Sequence, residues 1–401
     1  MNITGIIAEY DPFHNGHAYH ITATKAAGAS HIIVVLGGNF TQRGEAALLM
    51  KADRVRMALA GGADLVVELP QPWASASAEG FAFGAVSLLD QMKCVDTVSF
   101  GSECGNTDLL LQIASCMQTA KFTSFFRESL KAGIPYASAV QQTVTNLLGE
   151  TAGAVLSSPN NTLGLEYCKA LHKRNSSIRP LTILREGVAH NQVALEGDIT
   201  SASHIRALLL QGKLEDATPY LPASSVVFLK ESLRNGHCLT DTNVADRIML
   251  SYLRRLNVEQ LATSPYISEG LENRLFSAIQ QSTSMEELLQ TLKTKRYPLS
   301  RIRRILTASF LGVNAAWETQ SPPYIRVLGM RDSGVEILHR MRKSALLPLF
   351  TDAKQPPESA FSKEIFEFEC KASDLYGSLL PSPVPCGSEF TNGMLKYREE
   401  T

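Results

Sequence analysis

The chain contains no apolar run long enough to cross a membrane. Of its 401 residues 44% are hydrophobic and 19% charged. Its apolar stretches stop short of the roughly 20 residues that a spanning helix needs. A strand-like run follows Met1 directly, without a basic segment or a small-residue cleavage site. We therefore expect no secretory signal, no membrane partner and a cytoplasmic location. The length exceeds what a single core usually fills, so about two or three domains are expected.

Cysteine is scarce, and positive charge is not in excess. The seven cysteines are odd in number and show neither a CxxC pair nor any other zinc-ligand spacing. This pattern predicts reduced thiols and no metal site made of cysteine. The formal net charge of −1 excludes a globally basic nucleic-acid binder. A local basic face is still compatible with that charge.

Short apolar runs alternate with helical patterns in the first half of the chain. The strand-like runs are "ITGIIAE", "HIIVVLGG", "DLVVELP", "VDTVSFGSE" and, after a gap, "RPLTILRE" at 179–186. Strands that alternate with helices at this spacing predict βαβ units, and hence an α/β protein with a parallel sheet. "SASHIRALLLQG" at 201–212 is expected to be the closing helix of this unit.

The pattern divides the chain into three predicted parts. Residues 1–212 form the α/β domain, interrupted by a helical insertion at about 107–174. Residues 213–346 are mainly amphipathic helices, although "PPYIRVLGM" is typical of a strand. Residues 347–401 form a C-terminal extension whose packing the pattern does not assign.

The segment "YDPFHNGH" lies where the first predicted strand turns into the first helix. Ligands of parallel sheets bind at such carboxyl ends of strands, and a helix N-terminus favours anions. His14 and His17, with Gly16 between them, can both face a phosphate chain. Pro12 stiffens the loop. This suits attack at an α-phosphate with pyrophosphate as the leaving group, which requires positioning and charge neutralisation but no covalent nucleophile.

A polar loop whose histidines satisfy local backbone groups is the alternative interpretation of HxGH. Short motifs of this kind often match by accident. Here the motif follows the first predicted strand and opens the first predicted helix, which is the context that the functional interpretation requires.

In this position HxGH resembles the nucleotidylyltransferase superfamily, which shares its fold with class I aminoacyl-tRNA synthetases. More narrowly, roughly residues 1–330 resemble the bacterial tRNA(Met) cytidine acetate ligase family. The matching segments are "EYDPFHNGHAYH", "GGNFTQRGE", "KADRVRMALAGGADLVVELP", "SAEGFAFGAV", "FGSE", "SSPNNTLGLEYCKAL", "SASHIRALL", "RIRRILTASFLG" and "PPYIRVLGM". So many ordered segments are far more specific than the short motif by itself.

The resemblance implies a parallel-sheet, Rossmann-like nucleotidylyltransferase domain followed by a helical tRNA-binding region. It also implies a two-step reaction. Acetate and ATP would give acetyl-adenylate and pyrophosphate, and the acetyl group would then pass to the exocyclic amine (N4) of the wobble cytidine of elongator tRNA(Met). The charge of ATP predicts that Mg²⁺ accompanies it.

The resemblance also implies the residues of the ATP site. His14 and His17 would be catalytic. The expected ATP-binding residues are Ile7, Ala8, Glu9, Tyr10, Asp11, Pro12, Phe13, His14, Asn15, Gly16, His17, Ala18, Tyr19, His20, Gly101, Asn160, Asn161 and Arg185. The family usually has asparagine where this chain has Asp11, and a carboxylate beside a triphosphate is repulsive unless it is paired or bound to metal.

Three further residues are expected to contact phosphate or acetate. Arg43 in "GGNFTQRGE" has a guanidinium suited to oxyanions. Ser203 and Arg206 lie at the start of a predicted helix, where free N–H groups favour phosphate. A plain polar turn and an ordinary N-cap are the structural alternatives. Lys51 and Arg54 are expected to be solvated.

"KTKRYPLSRIRR" at 293–304 is dense in positive charge and has no acidic residue. Such runs are usually solvated helix faces, but with the family resemblance we expect tRNA contacts. The candidates are Lys293, Lys295, Arg296, Arg301, Arg303 and Arg304. Further basic residues that could contact tRNA are Arg326, Arg340, Arg342 and Lys343. Tyr297 is a candidate for stacking on an unpaired base.

Two other functions fit the same residues. A cofactor adenylyltransferase of the same superfamily would act on a phosphate ester and would not need the basic helices. A non-enzymatic nucleotide-sensing RNA-binding protein would keep the pocket without turnover.

Overall fold

A mostly parallel sheet organises the protein. The computed structural model describes residues 1–185, 199–267, 270–294 and 297–398. Its strands are β1 Ile3–Ala8, β2 His31–Gly37, β3 Leu65–Leu69, β4 Thr97–Ser102, β5 Arg179–Leu184, β6 Ile325–Met330, β7 Leu349–Phe350 and β8 Leu395–Lys396. The predicted strands are thus present, each within three residues of the expected bounds.

The strand order is β5-β4-β1-β2-β3-β6-β7, with β8 beside β6. Strands β1 to β5 are parallel to one another, and β6 runs antiparallel to β3. The order of the five parallel strands is that of a doubly wound sheet, which changes direction between β1 and β4. The prediction of an α/β fold with a parallel sheet is confirmed, and the ligand crevice of such a sheet lies at this change of direction.

Helices cover the sheet and extend beyond it. The helices of the α/β part are α1 Asn15–Ala26, α2 Lys51–Ala60, α3 Gln71–Ala74, α4 Ala78–Met92, α5 Thr107–Cys116, α6 Ala120–Lys131, α7 Tyr136–Leu148, α8 Glu150–Val155, α9 Pro159–Lys173 and α10 Ala202–Leu210. Those that follow are α11 Leu214–Ala217, α12 Ala223–Arg234, α13 Thr242–Leu253, α14 Val258–Ala262, α15 Leu271–Gln281, α16 Met285–Leu292, α17 Leu299–Leu311, α18 Gly334–Ser344, α19 Ala360–Leu379 and α20 Ser388–Thr391. Within the described residues, no helix combines the length and apolarity of a membrane span.

The two faces of the sheet bury separate hydrophobic clusters. In β2, Ile33 and Val35 pack into one cluster, whereas Ile32, Val34 and Leu36 pack into the other. Successive side chains of a strand point to opposite faces of the sheet. When both faces are covered, nearly every residue of the strand is apolar. This is why β2 could be recognised from its sequence.

The C-terminal part of the chain returns to the sheet. Strand β6 pairs with β3, while β7 and β8 pair with β6. Helix α19 packs against α3, α13 and α17. Residues beyond 346 therefore lie against both the sheet and the helical region. The domain boundaries at 212 and 346 stay predictions.

A buried ionic cluster anchors this C-terminal part below the end of β3. Lys51 donates to Glu68, and its Nζ lies 2.8 Å from carboxylate oxygens of both Glu369 and Glu389. Arg326 Nη1 lies 2.6 Å from Glu389 Oε2. All five of these residues are buried. The expectations that Lys51 is solvated and that Arg326 contacts RNA are wrong, because both cations neutralise buried carboxylates from distant segments.

Three carboxylates share two cations in this cluster. Burial, together with the charge of Glu68, raises the pKa of Glu369 to about 7. Burial would also raise the pKa of Glu389, but Lys51 and Arg326 outweigh it and hold that pKa at about 2. The charges therefore balance when Glu369 carries a proton.

Lys51→Met tests the importance of this anchor. Removing one partner leaves buried carboxylates uncompensated, and we expect the free energy of unfolding to fall by about 3–5 kcal/mol. Urea denaturation followed by circular dichroism measures the loss. Lys371→Met, on the exposed side of α19, is the control and should change the stability by less than about 0.5 kcal/mol. Equal effects of the two substitutions would contradict a structural role for the cluster.

Candidate active site

Helix α1 begins at a reciprocal pair of histidines. The backbone N–H of Gly16 donates to His14 Nδ1 at 3.0 Å, and the backbone N–H of His14 donates to His17 Nδ1 at 3.3 Å. This is the arrangement of a capping box, with imidazoles in place of the usual hydroxyl and carboxylate. The two rings stack with their centroids 3.7 Å apart. Helix capping therefore fixes both side chains at the N-terminus of α1.

The capping bonds also decide where each ring carries its proton. Burial lowers the pKa of His14 to about 3, and the positive charge of Arg185 adds to this effect. Burial and the neighbouring His14 lower the pKa of His17 well below its usual value. A neutral imidazole whose Nδ1 accepts a hydrogen bond carries its proton on Nε2. Each ring can therefore act as a neutral Nε2–H donor.

Close packing around the motif explains its glycine and its aromatic residues. A Cβ on Gly16 would lie 2.9 Å from His14 Cε1, so any side chain there would displace the ring. Tyr10 and Phe13 lie behind His17, with ring centroids 4.7 and 5.6 Å from it. The His17 ring is thus held from three sides.

A cavity of about 640 Å³ opens at the carboxyl ends of β1 and β4. Most of the predicted site residues line it. They are Ile7, Ala8, Glu9, Tyr10, Asp11, His14, His17, His20, Gly101, Asn160, Arg185, Arg43, Ser203, Arg206 and Arg303. The histidine motif and the "FGSE" segment thus meet where the strand order changes direction, as the fold predicts.

Seven of the predicted ATP-binding residues do not line this cavity: Pro12, Phe13, Asn15, Gly16, Ala18, Tyr19 and Asn161. Phe13 is fully buried beneath the motif. The Asn161 side chain accepts from the backbone N–H groups of Glu103 and Cys104 and donates to the carbonyl of Val155. Its amide supports the turn after β4, whereas the neighbouring Asn160 faces the cavity.

The unusual Asp11 is paired. One carboxylate oxygen accepts from the backbone N–H of Leu48 at 2.7 Å, and the other accepts from the Arg206 guanidinium. Arg206 of α10 therefore neutralises the carboxylate. The repulsion expected between a carboxylate and a triphosphate is compensated within the protein.

Helix α10 closes one side of the cavity. Ser201 caps it by accepting from the backbone N–H of His204 at 3.2 Å. Arg43 Nη1 donates to Ser203 Oγ at 3.1 Å, which joins the loop after β2 to the start of α10. The three predicted oxyanion contacts Arg43, Ser203 and Arg206 thus belong to one wall.

Arg54 is a residue whose role the sequence did not reveal. It is fully buried, and its guanidinium donates to the carbonyls of Leu49, Glu9, Gly37 and Gly38 at 2.6–3.1 Å. It thereby ties the ends of β1 and β2 together beneath the cavity. The expectation of a solvated side chain is wrong, because the partners are backbone carbonyls that a sequence pattern cannot bring together.

The sequence also missed an apolar wall of the cavity. Phe81 of α4 and Leu163 and Tyr167 of α9 line it on the side of β4. They are apolar residues at helical spacing, as core residues also are. Nothing in that periodicity distinguishes a cavity wall from the interior.

The basic candidates for tRNA are distributed unevenly. Lys293 is exposed, while Arg301, Arg303 and Arg304 are half-buried. Arg303 pairs with Glu45 at the cavity. Lys295 and Arg296 lie outside the described residues.

The expectation that Tyr297 stacks on an unpaired base does not fit its position. Tyr297 is only 8% exposed, and the guanidinium of Arg301 covers its ring at 5.0 Å. Arg301 itself donates to the carbonyl of Tyr266 at 2.9 Å. The ring is therefore part of the packing of the helical region.

The neutral state of His14 predicts how stability depends on pH. The unfolded chain takes up a proton near the ordinary pKa of 6.5, whereas folded His14 does so only near 3. The unfolded state thus binds more protons between these values, and the stability falls as the pH is lowered. Between pH 7 and pH 5, His14 alone should lower the free energy of unfolding by about 2 kcal/mol.

The free energy of unfolding of His14→Gln should therefore fall less between pH 7 and pH 5 than that of the wild type. The difference between the two proteins should be about 2 kcal/mol. Urea denaturation at the two pH values measures the difference. His172→Gln, at an exposed position of α9, should keep the wild-type dependence. Parallel stability curves for His14→Gln and the wild type would mean that His14 is not held neutral.

Comparison with known proteins agrees with this geometry. The family model "HIGH Nucleotidyl Transferase" matches residues 1–388. A tRNA(Met) cytidine acetate ligase of a Thermoanaerobacter strain is 37% identical over 99% of this chain and all of its own. The enzyme of the same name from Clostridium perfringens is also 37% identical, with the same coverage.

Solved structures give the same relationship. The crystal structure of apo TmcAL from Thermotoga maritima superimposes with a TM-score of 0.93 at 32% identity, covering 99% of both chains. The structure of that protein bound to alpha-thio ATP gives a TM-score of 0.91 with the same identity and coverage. Similarity of this extent identifies the chain as a member of the tRNA(Met) cytidine acetate ligase family, within the HIGH nucleotidyl transferases.

Proposed function

We propose that this protein joins acetate to ATP, releases pyrophosphate and transfers the acetyl group from the resulting acetyl-adenylate to N4 of the wobble cytidine of elongator tRNA(Met). The family membership supports this reaction, since relatives that match the whole chain are named for it. The observation that carries the proposal is the pair of neutral histidines at the N-terminus of α1, facing the cavity.

ATP would occupy the cavity, with its phosphates at the start of α1. A related protein of the same fold binds alpha-thio ATP. The helix N-terminus and the two Nε2–H donors favour the negative charge of the phosphates. The apolar wall of Phe81 and Tyr167 and the strand end at Gly101 would take the nucleoside.

In the first step a carboxylate oxygen of acetate attacks the α-phosphorus. A P–O bond forms to acetate while the bond to pyrophosphate breaks, and pyrophosphate leaves with the electron pair. His14 and His17 would hydrogen-bond to the oxygens on which negative charge increases. A neutral donor suits this task because it releases no proton and needs no rearrangement during the step.

Acetate would be held on the wall formed by Arg43, Ser203 and Arg206, which line the same cavity as the histidines. Mg²⁺ would arrive with ATP, coordinated by the phosphates and water. The cavity carboxylate of Asp11 is already paired with Arg206, so it suits a structural role better than metal ligation.

The exposed Lys293 and the arginines of α17 would contribute to tRNA binding by the helical region, residues 213–346. We place the protein in the cytoplasm, where ATP and tRNA are available together.

Acetate-dependent exchange of labelled pyrophosphate into ATP tests the first step. His17→Ala removes one donor to the developing charge and should lower the exchange rate about 10²–10³-fold. The control His172→Ala, at an exposed position, should exchange like the wild type.

Mass spectrometry of nucleosides tests the product. After incubation with ATP, acetate and tRNA(Met), we expect N4-acetylcytidine. Exchange that does not depend on acetate, with formation of a dinucleotide, would instead favour a cofactor adenylyltransferase. The absence of exchange by the wild type would favour the non-enzymatic alternative.

A further inference from the structure

A second cavity, of about 400 Å³, lies directly beside the first. It is enclosed by the loop at 44–46 and by helices α13, α16 and α17. Four residues line both cavities: Glu45, Arg206, Leu210 and Arg303. The two cavities therefore share a wall made of these side chains.

The loop that carries Glu45 is fixed on the helical region. Gly44 has a positive φ of 73°, and a Cβ at this position would lie 2.4 Å from the backbone nitrogen of Arg304. Thr307 of α17 donates to the carbonyl of Gly44 at 2.9 Å. Within the loop, the backbone N–H of Thr41 donates to the carbonyl of Glu45 at 2.8 Å. Glu45 is therefore held at the boundary of the two cavities.

The charges at this boundary form a compact group. Glu45 pairs with Arg303 through one oxygen, and its other oxygen lies 3.7 Å from Arg206 Nη2. Asp246 of α13 lines the second cavity and interacts electrostatically with Arg303 and Glu45. Hydrogen-bond acceptors and donors thus lie side by side. An aminopyrimidine presents the complementary set, an exocyclic amine beside a ring nitrogen and a carbonyl.

We propose that the second cavity holds the aminopyrimidine base that accepts the acyl group, and that Glu45 removes a proton from its exocyclic amine. This rests on the proposed function. The amine nitrogen forms a bond to the acyl carbon, and the bond from that carbon to the phosphate oxygen of the adenylate breaks. AMP leaves with the electron pair, and the amine proton passes to the Glu45 carboxylate.

Position distinguishes Glu45 from the other carboxylates of the site. Glu9 lines the first cavity but not the second, and it accepts from the backbone N–H of Gln42 at 2.6 Å. Asp11 also lines the first cavity but not the second, where it is bonded to Leu48 and Arg206. Glu45 faces both spaces, as a base that acts between donor and acceptor must. A base from an unpaired anticodon loop can be extruded into such a cavity at modest cost.

The first test separates the two steps of the reaction. Glu45→Gln should lower acetate-dependent pyrophosphate exchange much less than it lowers transfer, because the carboxylate contacts Arg206 but takes up no proton in the first step. Its single-turnover transfer from synthetic acetyl-adenylate to tRNA(Met) should fall by about 10²-fold or more, the usual contribution of a general base. Glu45→Asp retains a carboxylate and should recover part of the transfer rate. If Glu45 were needed only for packing, its substitution would not lower transfer while largely preserving exchange.

The second test places a bulky side chain in the proposed acceptor cavity. Thr242 is exposed and lines this cavity but not the first. Thr242→Trp should raise the KM for tRNA about tenfold, equivalent to about 1.4 kcal/mol of binding, without changing exchange. Asn243→Trp is the matched control, since Asn243 is the next residue of α13, is exposed and lies outside the lining.

Three results would overturn the inference. Equal losses of exchange and transfer in Glu45→Gln would place Glu45 in the first step. Unchanged transfer in that variant would remove it from the reaction. Equal KM values for Thr242→Trp and Asn243→Trp would show that the base binds elsewhere. Failure of the proposed function itself is recognised separately, because the wild type would then show no acetate-dependent exchange.

Discussion

The reciprocal hydrogen bonds between two histidine rings and the first turn of α1 are the interaction on which the site depends. They satisfy backbone N–H groups that a helix start otherwise leaves without partners. The same bonds fix the position and the tautomer of both rings, and burial keeps the rings neutral. A local requirement of helix formation thereby prepares a site for phosphate chemistry. Gly16 is part of this arrangement, because its missing side chain leaves room for the His14 ring.

The surrounding structure holds that pair in place over long distances in sequence. Arg54 joins the ends of β1 and β2 through backbone carbonyls. Asp11 and Arg206 connect the motif to α10, more than 190 residues later. The buried cluster around Lys51 connects α2 to α19 and α20. The C-terminal chain, whose packing the sequence did not assign, is therefore part of the support of the nucleotide site.

Much of the fold could be predicted because it arises from local patterns. β2 is a continuous apolar run, and the motif lies at the strand–helix junction where parallel sheets bind ligands. The failures concern charged residues whose partners are remote. Lys51 and Arg326 resemble surface residues until Glu369 and Glu389 are brought beside them. The pairing of Asp11 likewise depends on an arginine that only the folded chain brings close. The role of Tyr297 was misjudged for the same reason, since its burial is a tertiary effect.

The protonation state of the histidine pair is the central claim, and nitrogen NMR of the full-length protein labelled with ¹⁵N-histidine tests it most directly. Signals of His14 and His17 can be assigned by comparison with His14→Gln and His17→Gln. Without ATP, both rings should be neutral with the proton on Nε2, and should stay so as the pH is lowered from 7 to 5, because burial holds their pKa values far below the ordinary range. Rings that become imidazolium near pH 6, or that carry the proton on Nδ1, would contradict this account.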